Sequence, residues 1–169
     1  MKMQRSPFIL FIAFLAFCAI LAAAPAGAVD LIVDLSDPSK YQTIQAAIDD
    51  AALQIASDPA LSFRVIVMPG TYSGNIILKN NIPVQGHETM RSIVDNGGGT
   101  VMTASGVSGV SVRNLTFQKA GTGIAVSNNS TVSITNNVFT GITVAAVQVS
   151  GSPSTSVVNN TFYQNGAGV

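Results

Sequence analysis

The sequence predicts an all-β protein: a right-handed single-stranded parallel β-helix with an N-terminal capping α-helix, preceded by a signal peptide. Three observations lead to this fold class. The stretch 107–169 repeats with a period of about 22 residues, a helical pattern of apolar residues occurs once ahead of it, and the first residues resemble an export signal. We therefore divide the 169 residues into a signal peptide (1–28), an N-terminal strand with the capping helix (29–63), and β-helix coils (64–169).

The N-terminal segment has the three parts of a secretory signal. Lys2 and Arg5 give a basic start, residues 8–24 are apolar, and residues 26–28 are the small residues of a cleavage site. We predict cleavage after Ala28 and a secreted, periplasmic or cell-surface location, with no membrane span left after cleavage. A membrane anchor is the alternative, because the apolar run approaches the ~20 residues that span a bilayer.

Charge content bears on the possible binding partners, and cysteine content bears on how the protein is stabilised. Cleavage leaves six Lys and Arg against eight Asp and Glu. No basic patch remains to bind a phosphate backbone, so we expect no nucleic-acid partner. A lipoprotein site at Cys18, the only cysteine, is a further alternative for the N-terminus, although the bulky Phe17 before it fits such sites poorly. Because Cys18 leaves with the signal, we expect stability from packing and hydrogen bonds rather than disulfides.

A single helix is predicted near the start of the mature chain. Its apolar residues fall at the spacing of one helical stripe: Ile44, Ala47, Ile48, Ala51 and Ile55. Thr43 is a suitable N-cap, and Asp58-Pro59 ends the segment. The small side chains of the stripe suit a helix that lies against a flat surface.

Short strands follow the helix. Residues 64–68, 75–78, 82–84 and 92–94 are apolar and β-branched, and each run ends at Pro, Gly, Asn or Asp. Such runs, separated by turn residues and without a second helical stripe, predict an all-β body.

The repeat is the strongest signal in the sequence. It aligns residues 112–117, 134–139 and 157–162, and each of these segments has an apolar residue first, asparagine third and phenylalanine sixth. A leucine-rich repeat of similar length would need leucine columns and a helical half, and neither is present. Each period instead fits one coil of about three short strands, and coils stack at roughly 4.8 Å, so that equivalent residues lie over one another.

Two columns of stacked side chains are therefore expected inside the coils. One is aromatic, and the other is a ladder in which asparagine amides hydrogen-bond along the stack, which removes the cost of burying them. The predicted residues are Phe117, Phe139 and Phe162, with Asn114, Asn136, Asn137, Asn159 and Asn160.

Two motifs carry a family resemblance. Residues 43–49 (Thr-Ile-Gln-Ala-Ala-Ile-Asp), followed by 67–72 (Val-Met-Pro-Gly-Thr-Tyr), resemble the opening of many pectate-lyase-like proteins. The repeats with their Asn-Asn-x-Phe steps resemble the repeats of the same superfamily, so the resemblance covers nearly all of residues 41–169. It implies that the helix caps the open end of the β-helix core. It implies no single activity, because the superfamily includes lyases, hydrolases, esterases and non-catalytic proteins.

No catalytic residue, cofactor site or metal site is predicted, and no cofactor is expected. Sugar hydrolysis on such a fold needs paired carboxylates, and calcium-dependent lyases need several carboxylate oxygens. None of the eight carboxylates lies between residues 96 and 169, where the only charged residues are Arg113 and Lys119. The carboxylates are Asp30, Asp34, Asp37, Asp49, Asp50, Asp58, Glu88 and Asp95. His87 and Glu88 are either an acid/base pair or a polar turn, and we favour the turn.

The polar coil faces suggest how the protein could act. They are rich in hydroxyl and amide side chains that suit sugar hydroxyls, so polysaccharide is a candidate partner; they equally suit an ordinary solvent face, which is the interpretation we favour for these residues. The residues concerned are Ser127, Asn128, Asn129, Ser130, Thr131, Gln148, Ser150 and Ser152. Because the coils of residues 96–169 contain no Asp or Glu, we favour a non-catalytic carbohydrate-binding or surface scaffold module.

Two alternatives stay open. In the repeat register Val169 begins a strand, so we expect further β-helix coils of the same chain beyond it, and the first alternative is a polysaccharide-acting enzyme (a lyase, hydrolase or esterase) whose active-site coils lie there. The second resembles the periplasmic β-helix proteins that assist copper-enzyme maturation, but no cluster of His, Met or Cys supports it.

Overall fold

The computed structural model describes residues 27–151 and 153–169. The predicted signal peptide falls almost wholly on residues 1–26, outside the described residues, and Cys18 lies there as well. The elements are, in chain order, β1 (Val29–Val33), α1 (Ile44–Ser57), β2 (Phe63–Val67), β3 (Gly70–Ser73), β4 (Ile76–Ile77), β5 (Val84–Gly86), β6 (Ser92–Asp95), β7 (Thr100–Ser105), β8 (Val110–Arg113), β9 (Thr116–Gln118), β10 (Thr122–Ser127), β11 (Thr131–Thr135), β12 (Val138–Thr140), β13 (Ala145–Val149), β14 (Ser154–Val158) and β15 (Thr161–Tyr163).

The strands form three parallel sheets. Sheet I has the order β1-β2-β5-β8-β11-β14, sheet II has β3-β6-β9-β12-β15, and sheet III has β4-β7-β10-β13. From β2 onward each strand pairs with the strand three places further along the chain, so each coil gives one strand to each sheet. This arrangement confirms the predicted all-β parallel β-helix with one helix near its N-terminal end.

Helix α1 begins and ends where its caps predict. The backbone N–H of Ala46 donates to Oγ1 of Thr43 at 3.2 Å, which satisfies one of the free donors of the first turn. Asp58 is extended and closes the helix ahead of Pro59. The apolar stripe packs against β1, β2 and β4 and joins the core. Its buried members are Ile44, Ala47, Ile48 and Ala51, and Ile55 is partly buried.

The helix also closes the free edge of sheet III. Strand β4 is the edge strand, and its Ile77 N–H donates to Oε1 of Gln45 at 2.7 Å while Nε2 of Gln45 donates to the Ile77 carbonyl at 3.4 Å. The side-chain amide thus takes the place of a neighbouring strand. Nearby, Nζ of Lys79 donates to Oδ1 of Asp49 at 2.6 Å. The two Gln45 bonds satisfy the backbone groups of Ile77 that an open sheet edge would expose.

Three phenylalanines stack inside the later coils. The ring centroids of Phe117 and Phe139 are 4.7 Å apart, those of Phe139 and Phe162 are 5.3 Å apart, and both pairs lie within 9° of parallel. Parallel pairing in register sets these neighbours. Phe117 and Phe139 are fully buried, and Phe162 in the last coil is 39% exposed. The rings therefore fill the part of the core that lies against sheet II.

An asparagine ladder runs beside the rings, and Asn137 is at its centre. The Asn137 side chain accepts from the Leu115 N–H at 3.0 Å and donates to the Val112 carbonyl at 3.0 Å and to Oδ1 of Asn160 at 3.1 Å. Asn160 repeats the pattern one coil later, because its Nδ2 donates to the Ile134 carbonyl at 2.8 Å. Each amide ties its own coil to the previous one, and Asn137 is fully buried.

The other three predicted ladder asparagines have a different role, which corrects the sequence-based expectation. Asn114, Asn136 and Asn159 have φ of 57°, 57° and 55°, and the ladder bonds described above come from the asparagines that follow Asn136 and Asn159. The turn from sheet I to sheet II needs a left-handed residue, which asparagine tolerates better than other side chains with a Cβ. These three asparagines shape the turn, and among the described residues their side chains make no hydrogen bond along the stack; only a backbone bond, from the Asn136 N–H to the Val158 carbonyl at 3.3 Å, does so there.

Candidate functional site

A column of serines lies on the outer face of sheet I. Parallel pairing sets Ser111 of β8 beside Ser133 of β11, and Ser133 beside Ser156 of β14. Side chains alternate between the two faces of a strand, so the residue before each of the first two serines points inward. These residues, Val110 and Val132, are buried. The serine hydroxyls therefore recur at the coil spacing, about 4.8 Å.

The small outer side chains leave a shallow groove of about 450 Å³ along the solenoid axis. Its volume falls within the range of roughly 300–1,000 Å³ typical of ligand sites. We call it the serine groove; it is lined by Gly109, Val110, Ser111, Thr131, Val132, Ser133, Ser154, Thr155 and Ser156. The hydroxyls at outer positions can each donate one hydrogen bond and accept others, whereas Oγ1 of Thr155, in register with the buried Val132, is itself buried. The lining carries no charged side chain.

One arginine stands on the same outer face. Arg113 follows Ser111 by two positions on β8 and pairs in register with Thr135 of β11. Its Nη2 donates to Oε1 of Gln85, on the preceding coil, at 2.6 Å. Its Nε is buried and has no hydrogen-bond partner among the described residues.

His87 and Glu88 lie in the turn between β5 and β6. Nδ1 of His87 is 3.8 Å from Oε1 of Glu88, and Nη1 of Arg91 is 3.1 Å from Oε2 of the same carboxylate. The His87 and Glu88 side chains are 53% and 42% exposed. The arrangement is an exposed ionic turn, and neither residue lines the serine groove.

Other carboxylates bind neighbouring side chains of the N-terminal part. Asp30 accepts two hydrogen bonds from Arg64, both at 2.9 Å. The hydrogen bond from Lys79 is the main cause that lowers the pKa of Asp49. The Tyr41 hydroxyl donates a hydrogen bond to the Asp50 carboxylate, which raises the pKa of Tyr41. Within the ranges 27–151 and 153–169, no three His, Cys, Asp or Glu side chains lie together as metal ligands.

The polar residues singled out from the sequence do not share one face. Thr131 lines the serine groove, whereas Ser130 is fully buried and its hydroxyl donates to the Ser127 carbonyl at 2.6 Å. Asn128 lies at a turn and donates to Oγ of Ser105 at 2.8 Å. Ser152 falls outside the described residues.

The residues that the sequence analysis missed are the serines of the groove. Ser111, Ser133 and Ser156 keep the same spacing as the three phenylalanines of the stack. Ser111 and Ser133 also have apolar neighbours on both sides, as outer positions of a half-buried strand do. Applying both patterns together would have identified the column.

A comparison with family models gives one match. The model described as "Right handed beta helix region" matches residues 68–169, more than half of the chain. No curated protein and no solved structure matches the chain significantly. In the part of the chain that the structure describes, no helix is both long and apolar enough to cross a membrane.

Proposed function

The chain belongs to the right-handed β-helix family, and from this premise we propose that it is an exported, non-catalytic module that binds polysaccharide along the serine groove. Export is proposed from the basic, apolar and small-residue pattern of residues 1–28. Sequencing the N-terminus of the exported protein tests this part, and it should begin at Val29.

The observation that supports polysaccharide binding is the in-register column of hydroxyls. Ser111, Ser133 and Ser156 present one hydroxyl per coil, about 4.8 Å apart. A sugar unit of an extended glycan spans a similar length and carries several hydroxyls. A glycan that lies along the solenoid axis can therefore meet a new serine at each successive sugar.

The chemistry of the groove favours binding over catalysis. General acid/base chemistry on a glycosidic bond needs groups that exchange protons, typically two carboxylates. The groove is lined by glycine, valine, serine and threonine only. Asp30 and Asp49, in contrast, form ion pairs with Arg64 and Lys79 in the N-terminal part. We therefore assign the groove a binding role.

The test replaces groove hydroxyls without changing the shape of the strand. In the variant Ser111→Val/Ser133→Val, affinity for a bound polysaccharide should fall about tenfold, since two hydrogen bonds of about 0.5–1.5 kcal/mol each are lost. The matched control is Thr103→Val/Thr140→Val, which removes two hydroxyls from sheets III and II. Its affinity should stay within twofold.

Binding is measured by calorimetry against a panel of plant, bacterial and fungal polysaccharides, and product release is followed in the same samples. If no polysaccharide of the panel binds, or if both variants lose affinity equally, the groove is not the site. New reducing ends or unsaturated products would overturn the non-catalytic assignment and favour the enzyme alternative.

A further inference from the structure

Arg113 is a cation without a counter-charge in the described chain. The sequence contains no Asp or Glu between residues 96 and 169. The salt bridges of the described residues involve Arg64, Lys79, His87 and Arg91, and none involves Arg113. A guanidinium remains charged at any physiological pH, so this face of sheet I carries an uncompensated positive charge.

The guanidinium is also only partly satisfied. Gln85 accepts from Nη2 at 2.6 Å and so holds the group in one orientation, but Gln85 is neutral. Nε is buried without a partner in the described part of the chain. A buried donor that lacks an acceptor is costly, so the protein groups of the described chain do not meet the full hydrogen-bonding capacity of this guanidinium. Because Nε is enclosed, a ligand would meet the terminal Nη groups and not Nε.

The position of Arg113 joins it to the serine groove. Side chains two positions apart on a strand point to the same face, so Arg113 follows Ser111 on the outer face of β8. Its register partner Thr135 follows Ser133 in the same way on β11. Arg113 is partly exposed, so a ligand in the groove has access to it.

On the strength of the proposed function, we infer that Arg113 is a specificity-determining residue that binds an anionic substituent of the glycan. The substituent is a carboxylate or a sulfate ester, because either offers two oxygens to the planar N–H fork of arginine. The serines bind the sugar hydroxyls, and Arg113 distinguishes an acidic glycan from its neutral counterpart. The inference depends on the proposed function only for the presence of a glycan in the groove.

Three matched probes test the inference: a linear oligouronate, the same oligosaccharide with its carboxylates reduced to alcohols, and the O-sulfated form of the reduced compound. The wild-type protein should bind at least one acidic probe about 10- to 100-fold more tightly than the neutral one, as expected for a charge-assisted hydrogen bond. Comparing the two acidic probes shows whether a carboxylate or a sulfate is preferred.

The variant Arg113→Gln should remove this preference and leave affinity for the neutral probe within twofold. Arg113→Lys should restore only part of it, because lysine lacks the planar fork. The control is Lys119→Gln, which removes the only other charge of residues 96–169. Its equivalent position two coils later is already Gln164, and both residues have positive φ, 50° and 54°. Unchanged thermal midpoints establish that the variants fold.

The outcomes separate the two proposals. Equal binding of neutral and acidic probes by the wild type, or an equal loss of acidic binding in Arg113→Gln and Lys119→Gln, overturns the role of Arg113 and leaves the groove as a glycan site. Absence of binding to all three probes, together with absence of binding to the polysaccharide panel, overturns the proposed function itself.

Discussion

The two halves of this solenoid hold their coils together differently. In the N-terminal part, Val65, Val84 and Val112 are successive register partners. Fewer residues separate Val65 from Val84 than separate Val84 from Val112, so the coil length varies. In the later part, Val112, Ile134 and Val157 follow one another at nearly constant spacing. The N-terminal part contains all eight carboxylates and is tied by pairs of unlike groups, whereas the later coils are tied by columns of like side chains.

The inner column of sheet II shows this difference directly. Its members in register are Tyr72, Val94, Phe117, Phe139 and Phe162. The aromatic stack begins only at Phe117, because Val94 separates it from Tyr72. Tyr72 instead donates its hydroxyl to the Val33 carbonyl at 3.1 Å. Where coil length is constant, the same residue type can stack on itself at equivalent positions of successive coils. Where coil length varies, each coil is held by contacts specific to it.

The second coil, which contains β5, β6 and β7, is lengthened by an insertion between β5 and β6, and this insertion makes a contact of its own. It contains the turn with His87 and Glu88, and its Thr89 carbonyl accepts from Oγ1 of Thr116 at 2.5 Å. Thr116 is only 5% exposed, although it occupies an outer position on β9. The insertion thus packs on the outside of sheet II rather than widening the core.

The largest expected effect comes from breaking the aromatic stack. Phe139→Ala removes a fully buried ring that lies between two others, and it should lower the free energy of unfolding by about 3–5 kcal/mol. Phe162→Ala should cost less because its ring is 39% exposed, and Val94→Ala should cost less because a smaller side chain is lost. Urea denaturation measures all three. Equal losses would contradict the expectation that the cost follows the buried side-chain area that each variant removes.

The asparagine ladder allows a sharper comparison between two neighbouring residues. Asn137→Ala leaves the Leu115 N–H and the Val112 carbonyl without their partners, and should cost about 3 kcal/mol. Asn136→Ala places a Cβ without a compensating side chain at φ 57°, and should cost about 1 kcal/mol.

The glycine variants provide the control for this pair. Asn136→Gly should be close to neutral, since glycine adopts positive φ freely, whereas Asn137→Gly should be at least as damaging as Asn137→Ala. If Asn136→Ala proves the more destabilising alanine variant, the assignment of the ladder to the second asparagine is wrong.

The sequence predicted the architecture because the repeat period is itself a structural quantity. A coil of about 22 residues made of short strands has few other solutions, and Thr43 and Asp58-Pro59 marked both ends of the helix. The two asparagine columns could not be separated in the same way, because Asn136 and Asn137 are identical and differ only in backbone φ and burial. The one available signal was Leu115, an apolar residue at the equivalent position of the first repeat, which marks that column as the inward one.

The candidate site was harder to predict than the fold. Composition alone does not separate the buried Ser130 from the exposed Asn129. The serine groove depends instead on alternation within a strand and register between coils. The partner of Arg113 could not be predicted either, since Gln85 belongs to the lengthened second coil and lies outside the regular period.

The smallest expected effect is a difference in acid sensitivity between the two parts. The pKa of Asp49 is lowered in the folded protein, chiefly by the hydrogen bond from Lys79. A lowered pKa means that this pair stabilises the fold above the ordinary value of 3.8 and that the contribution is lost as pH falls through the folded-state pKa. Because the Asp49 and Lys79 side chains are 48% and 40% exposed, screening by solvent limits the contribution to roughly 0.2–1 kcal/mol.

Hydrogen exchange can locate so small an effect. Protection factors of α1 and β4 should decrease between about pH 5 and pH 2, while those of β10, β11 and β12 should change less, because residues 96–169 contain no carboxylate. Asp49→Asn should remove part of the decrease in α1 and leave the later coils unaffected. A uniform loss of protection along the solenoid would mean that the cap and the coils unfold as one unit, and that the contrast between them is one of contacts and not of stability.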